Sequence, residues 1–213
     1  KKKKNLVDIG VEVLRIPLEQ IRSRSKSEKT ADGKIPVSKS KDKIYSVAEL
    51  PIKSIKELAR LYGEAVTLVQ TPSGLGSGFI INDRGYCVTN YHVVEKETRI
   101  AVTIFHRTAN GEFQRRQIKD VEILALNPFF DLALLRIPQQ KDFAFRTVYL
   151  AENDQQREGE EVFAIGNPLG LERSVSRGIV STRNRNMQGI VYIQTTTQIN
   201  PGNSGGPLFN SRS

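Results

Sequence analysis

The sequence predicts an all-β protein, two successive β units behind one short N-terminal helix. Three observations carry that reading. After Gly63 the chain breaks into short runs rich in β-branched and aromatic residues. Turn chemistry separates the runs, notably Asn82-Asp83-Arg84-Gly85 and the hairpin pair Asn110-Gly111. A connection over residues 138–145, opened by Pro138, then divides a longer first series from a shorter second one.

Residues 5–21 mix strand and helix periods and are interrupted by Gly10 and Pro17, so they stay unassigned. Residues 22–43 are dominated by Ser, Lys, Arg, Asp and Gly, the composition of a solvated linker, and residues 1–50 as a whole are expected to be a basic, partly disordered leader. Pro51 suits the first turn of a helix, where its missing N–H needs no partner. Ile52, Ile55, Leu58, Ala59 and Tyr62 recur at helical spacing and Gly63 supplies a stop, so a helix is expected over 51–63. Strands are expected at 65–70, 78–81, 86–89, 99–105, 113–119, 121–126 and 132–137 in a first unit spanning 64–140. The second unit, 141–213, is expected to hold strands at 148–150, 162–165, 174–181 and 190–197.

Composition bounds the function. With 213 residues, 38% hydrophobic and 26% charged, the chain can bury a real core. No apolar run approaches the roughly 18 residues of a membrane span. A single cysteine, Cys87, excludes an internal disulfide, and with two histidines it leaves too few ligands for a clustered zinc site, so no metal or cofactor is expected. Cys87 itself falls within a core strand and reads as a small buried hydrophobe. The net charge of +9 hints at an anionic partner, but residues 1–60 carry 16 basic against 8 acidic side chains and the remainder 16 against 15, so the excess lies in the leader. The first 44 residues contain no aromatic to stack on bases, and no nucleic-acid partner is expected. Because the chain begins at Lys1 with no apolar segment behind the lysines, it is expected to be a trimmed piece.

One constellation carries chemistry. Gly202-Asn203-Ser204-Gly205-Gly206-Pro207-Leu208 sets a serine among glycines that let backbone N–H groups approach a bound carbonyl. A serine hydroxyl needs an adjacent general base, itself oriented by a third group. The base is His92 or His106; His92 follows a core strand closely, whereas His106 reads as a surface residue. Asp131 opens the run Leu132-Ala133-Leu134-Leu135, where a buried carboxylate would need a partner such as an imidazole N–H; Asp120 and Asp154 are also available. The Gly-x-Ser-x-Gly string also fits the nucleophile elbow of α/β-hydrolases, but those run Ser, Asp, His, and nothing suitable follows Ser204. The order His92, Asp131, Ser204 is the chymotrypsin-like one.

The strings GSGFIINDRGYCVTNYHVVE, DLALLRI, FAIGNPLGLERSVSRGIVST and QTTTQINPGNSGGPLFN resemble, in order and spacing, the trypsin-like protease domain of the HtrA/DegP family over roughly residues 65 to 210. The resemblance implies a chymotrypsin-like double β-barrel with the active site between the barrels, and serine endopeptidase activity on polypeptide substrates. His92 matches the general base, Asp131 the orienting acid and Ser204 the nucleophile. The amides of Gly202, Asn203 and Ser204 match the oxyanion hole, and Gln198 with Ile199 the substrate pocket, Gln198 at its floor. An uncharged floor implies cleavage after small or medium aliphatic residues. The resemblance also implies a cell-envelope, periplasmic or extracellular location and a homo-oligomer, a trimer. Since the family's domain continues past its serine loop, the second barrel is expected to be incomplete at its C-terminus; the family's longer loop before the nucleophile strand is reduced to residues 183–189. A catalytically silent protease-like binding module is the competing reading.

Overall fold

A computed structural model describes residues 12–14, 44–48, 50–108, 110, 112–141, 143–151, 156–167, 174–187 and 189–211. The linker expected at 22–43 and Asp154 lie outside the described residues, as does Gly111 of the expected hairpin pair. Twelve strands are described, in two antiparallel sheets, with two helices.

The first helix, α1, spans Ile55–Tyr62 and starts four residues after the expected Pro51. The reason is a capping box. Ser54 accepts the Glu57 N–H on its hydroxyl while the Glu57 carboxylate accepts the Ser54 N–H, so two helix-end donors are satisfied at Ser54. Residues 51–53 stay outside the helix, and the Lys53 N–H donates to the Ser211 carbonyl at 3.0 Å. A short 3-10 turn over Gly63–Ala65 then leads into the first sheet.

That sheet comprises β2 (Val66–Thr71), β3 (Gly74–Ile80), β4 (Tyr86–Thr89), β5 (Ala101–Arg107), β6 (Phe113–Ile118), β7 (Glu122–Asn127) and β8 (Leu132–Arg136), all within a few residues of the expected runs. The strand order is β6-β5-β2-β3-β4-β8-β7, so two consecutive strands, β6 and β7, occupy opposite edges. The four chain steps from Ile118 to Glu122 reach at most about 14 Å. Across a flat seven-stranded sheet the edges would stand roughly 29 Å apart. The sheet therefore rolls, bringing its edges together around a core that includes Val69, Ile80, Val102, Ile104, Leu135 and Ile137.

The second sheet has the order β1-β11-β10-β9-β12, from β1 (Glu12–Leu14), β9 (Glu161–Gly166), β10 (Ser174–Met187), β11 (Ile190–Thr195) and β12 (Leu208–Asn210). Three departures from expectation have local causes. β10 runs to Met187 rather than 181, because it continues along β11 through two register shifts. Residues 148–150 form no strand: the Val148 N–H donates to Ile80 and the Leu150 N–H to Ser46, two unrelated partners in place of a ladder. Glu12–Leu14, within the region expected as leader, pairs with β11. Between the sheets, Leu58 of α1, Val66, Ile81, Val148, Phe163, Ile165 and Phe209 form a shared core, in which the Phe163 and Phe209 rings stack at 5.0 Å.

Candidate active site

Register brings the first two groups together. β4 pairs antiparallel with β8 with Thr89 opposite Ala133, so the residues just past the end of β4 face those just before β8. The chain continues that register for one more bond, the Tyr91 N–H donating to the Asp131 carbonyl at 3.0 Å. It then coils into one helical turn, α2 (Tyr91–Val94), which carries His92; the imidazole is thus borne on a turn of helix rather than on the strand end itself.

Asp131 sits at φ 51, a left-handed conformation that Asp tolerates better than most residues. There its carbonyl accepts both the Tyr91 N–H and the Asn90 side-chain amide, while its carboxylate turns onto His92. Oδ1 accepts the His92 backbone N–H at 2.8 Å and Oδ2 meets His92 Nδ1 at 2.7 Å. A carboxylate on Nδ1 keeps the proton there and leaves Nε2 as the basic nitrogen. The same hydrogen bond, aided by the charges of Asp131 and Glu95 and opposed by desolvation, raises the His92 pKa above the ordinary imidazole value. Asp131 is not the buried carboxylate expected: its side chain is 41% exposed and that of His92 53%, because β8 begins at the rim of the sheet.

The serine loop opens with a turn. Pro201 and Gly202 are the central residues of a β-turn closed by the Asn203 N–H on the Asn200 carbonyl at 3.0 Å, and Gly202 at φ 100 supplies the positive φ that a type II turn needs at that place. This corrects one expectation: the Asn203 amide is already engaged and is unavailable to a ligand, whereas among the described residues the N–H groups of Gly202 and Ser204 donate to nothing. Gly205, at φ 84, abuts the Ser77 carbonyl and the Thr89 hydroxyl so closely that no Cβ fits. A Cβ on Gly76 would lie 2.7 Å from Val93 and 3.1 Å from the Ser204 carbonyl. The turn bearing His92 and the loop bearing Ser204 therefore crowd the same point of β3. Among the described residues the Ser204 hydroxyl has no hydrogen-bond partner, His92 included.

Other expected residues fall differently. Gln198 is exposed and Ile199 half-buried, because β11 ends at Thr195 and the chain beyond leaves the ladder; the Gln198 carbonyl accepts the Ser176 hydroxyl. His106 is half-buried on β5 against the Phe143 ring, not a surface residue, since β5 carries it over the edge of the first core. Asp120, at φ 58, is exposed in the β6–β7 turn. Cys87 is fully buried, and burial pushes its thiol up to about 12, which leaves it protonated and inert. Ser77, in the Gly-Ser-Gly string at 76–78, was not among the expected site residues, yet its N–H donates to the Ser204 carbonyl at 2.7 Å.

Comparison with known proteins decides the family. A model described as trypsin-like peptidase domain matches residues 76–213. The chain belongs to the trypsin-like peptidase family. A Chlamydia muridarum protein named a probable periplasmic serine endoprotease, DegP-like, is 43% identical over 139 residues, 63% of this chain and 26% of its own length. A protein of the same name from Ectopseudomonas mendocina is 41% identical over 64% of this chain and 27% of its own. The match thus spans about a quarter of these relatives. Among solved structures, Deg5 aligns with TM-score 0.64 and 32% identity over 73% of this chain and 78% of its own. The HtrA-type protease AlgW with a tripeptide aligns with TM-score 0.63 and 31% identity over 75% of this chain and 52% of its own. The chain is accordingly an HtrA/DegP relative of chymotrypsin-like fold, and among its described residues no helix is long and apolar enough to cross a membrane.

Proposed function

We propose that this peptidase is a serine endopeptidase of the HtrA/DegP type that cleaves unfolded or damaged polypeptides with His92, Asp131 and Ser204. The observation that carries the reading is the two-point grip of Asp131 on His92, backbone and ring together, beside a serine loop packed onto the adjoining strand. In this reading His92 Nε2 takes the Ser204 proton as Oγ attacks the peptide carbonyl, and returns it to the leaving amine. Asp131 holds the tautomer and stabilises the imidazolium. The N–H groups of Gly202 and Ser204 receive the oxyanion, and water reverses the sequence on the acyl-enzyme. The uncharged Gln198 and its neighbour Ile199 favour small or medium aliphatic side chains before the scissile bond.

The names of the relatives support a periplasmic location, and the family resemblance supports a homo-oligomer, a trimer, with residues 64–140 and 141–213 as the two barrel units. The Ser204 hydroxyl, without a hydrogen-bond partner among the described residues, favours a second reading, a protease-like binding module. A fluorophosphonate separates the two. Labelling that disappears in Ser204→Ala is expected of the enzyme; absence of label in the unaltered chain, or label that persists in Ser204→Ala, overturns it.

A further inference from the structure

Ser77 takes no part in the steps above, yet it touches the serine loop at two places. It is fully buried on β3. Its hydroxyl donates to the Gly202 carbonyl at 2.7 Å and accepts the Asn167 backbone N–H at 3.1 Å. Its own N–H donates to the Ser204 carbonyl at 2.7 Å, and its carbonyl accepts the Thr89 hydroxyl at 2.7 Å. Ser77 thus holds the carbonyls of Gly202 and Ser204, whose own N–H groups have no acceptor among the described residues.

We propose that the Ser77 hydroxyl is a positioning residue for the oxyanion donors, fixing the Gly202 peptide so that the N–H groups of Gly202 and Ser204 converge; this rests on the serine endopeptidase reading. The Gly202–Asn203 peptide is held at both ends, its carbonyl by Ser77 and its N–H by the Asn200 carbonyl. With that plane pinned, the turn cannot rotate without breaking a part-buried hydrogen bond. Among the described residues the Asn167 side-chain amide and Asn203 Oδ1 are buried and make no hydrogen bond, so neither holds the Gly202 carbonyl. Loss of the hydroxyl would therefore leave the Gly202 carbonyl and the Asn167 N–H both without a partner. Ser77 also belongs to the first sheet and the loop to the second, so this contact sets the nucleophile loop against the sheet that carries His92.

The test is Ser77→Ala beside the unaltered chain, with kcat and KM on a peptide substrate and the rate of fluorophosphonate inactivation, whose phosphoryl oxygen needs the same donors. The expected result is a fall of about tenfold in kcat and in inactivation rate, smaller than the 10²–10³ for losing a donor outright. KM stays within twofold and the acid limb of the pH profile stays in place, because His92 is untouched. Ser77→Thr, which keeps the hydroxyl, recovers most of the loss. A kcat within twofold of the unaltered chain, a KM effect without a kcat effect, or a Thr variant as impaired as Ala overturns the proposal. Should Ser77→Ala not fold, Ser77→Cys replaces it: its weak S–H donor should give an intermediate loss, and an unchanged kcat overturns the proposal. Failure of the endopeptidase reading is distinct, since the unaltered chain would then take no label at Ser204.

Discussion

The two sheets hold their halves of the site by different means. The first carries His92 and Asp131 directly on its own strand register, over a core of thirteen buried residues. The second carries Ser204 on a loop, and its own core among the described residues is Val162, Val180 and Ile193. Most of what steadies the second half is shared: Phe163, Ile165 and Phe209 face Leu58, Val66 and Ile81 across the interface, and Ser77 reaches over to the loop. His92 is thus positioned by local pairing, and Ser204 by packing between sheets. Hydrogen bonds along a ladder fix a register within one strand pair, whereas a loop has no such partner and takes its position from what it is pressed against.

Substitutions can break that contrast, beginning with the largest effect. Ser204→Ala should lower turnover on the order of 10⁶-fold with an unchanged melting temperature, measured by peptide hydrolysis and calorimetry; His92→Ala should be comparably severe, because nucleophile and base act as a unit. Asp131→Asn should lower turnover on the order of 10⁴-fold. It should also move the acid limb of the rate profile. Protonated His92 cannot accept the serine proton, so activity is lost as pH falls through its pKa. Because Asp131 raises that pKa, activity in the unaltered chain should be lost at a higher pH than for an ordinary imidazole, near 6.5. In Asp131→Asn the midpoint should fall, and an unmoved midpoint would assign the raised pKa to another group.

Phe209→Ala removes the ring that stacks on Phe163 and Tyr62, and should cost about 3–5 kcal/mol in urea unfolding. Amide exchange should accelerate first in β9 and β12, ahead of β2 and β3; equal acceleration would show that the second sheet does not depend on the shared core. Ser54→Ala should cost about 1 kcal/mol by removing the α1 cap, seen as a small drop in melting temperature with turnover retained.

Much of the first half was legible because its signals are local. Alternating apolar runs and turn residues placed all seven strands, and Tyr86–Thr89 emerged with the expected bounds. The helix start was misplaced because Pro51 competed with a stronger signal, the Ser54-x-x-Glu57 box. β12 went unseen: three residues after Pro207 carry too little period to mark a strand, and β9 supplies the partner. The expected burial of Asp131 was misjudged because exposure at a strand end depends on what packs over it.

What the sequence determined by itself was chemistry and order: a serine among glycines, a histidine after a core strand, an aspartate at the start of another, and an all-β chain in two series. Residue type and periodicity are properties of neighbours along the chain. The tertiary structure alone decided that, among the described residues, the Asn203 N–H is engaged while those of Gly202 and Ser204 are not, and that a buried serine 127 positions earlier, Ser77, holds the loop. Those are contacts between segments far apart in sequence, and no local pattern records them because each partner's own neighbourhood is satisfied without the other.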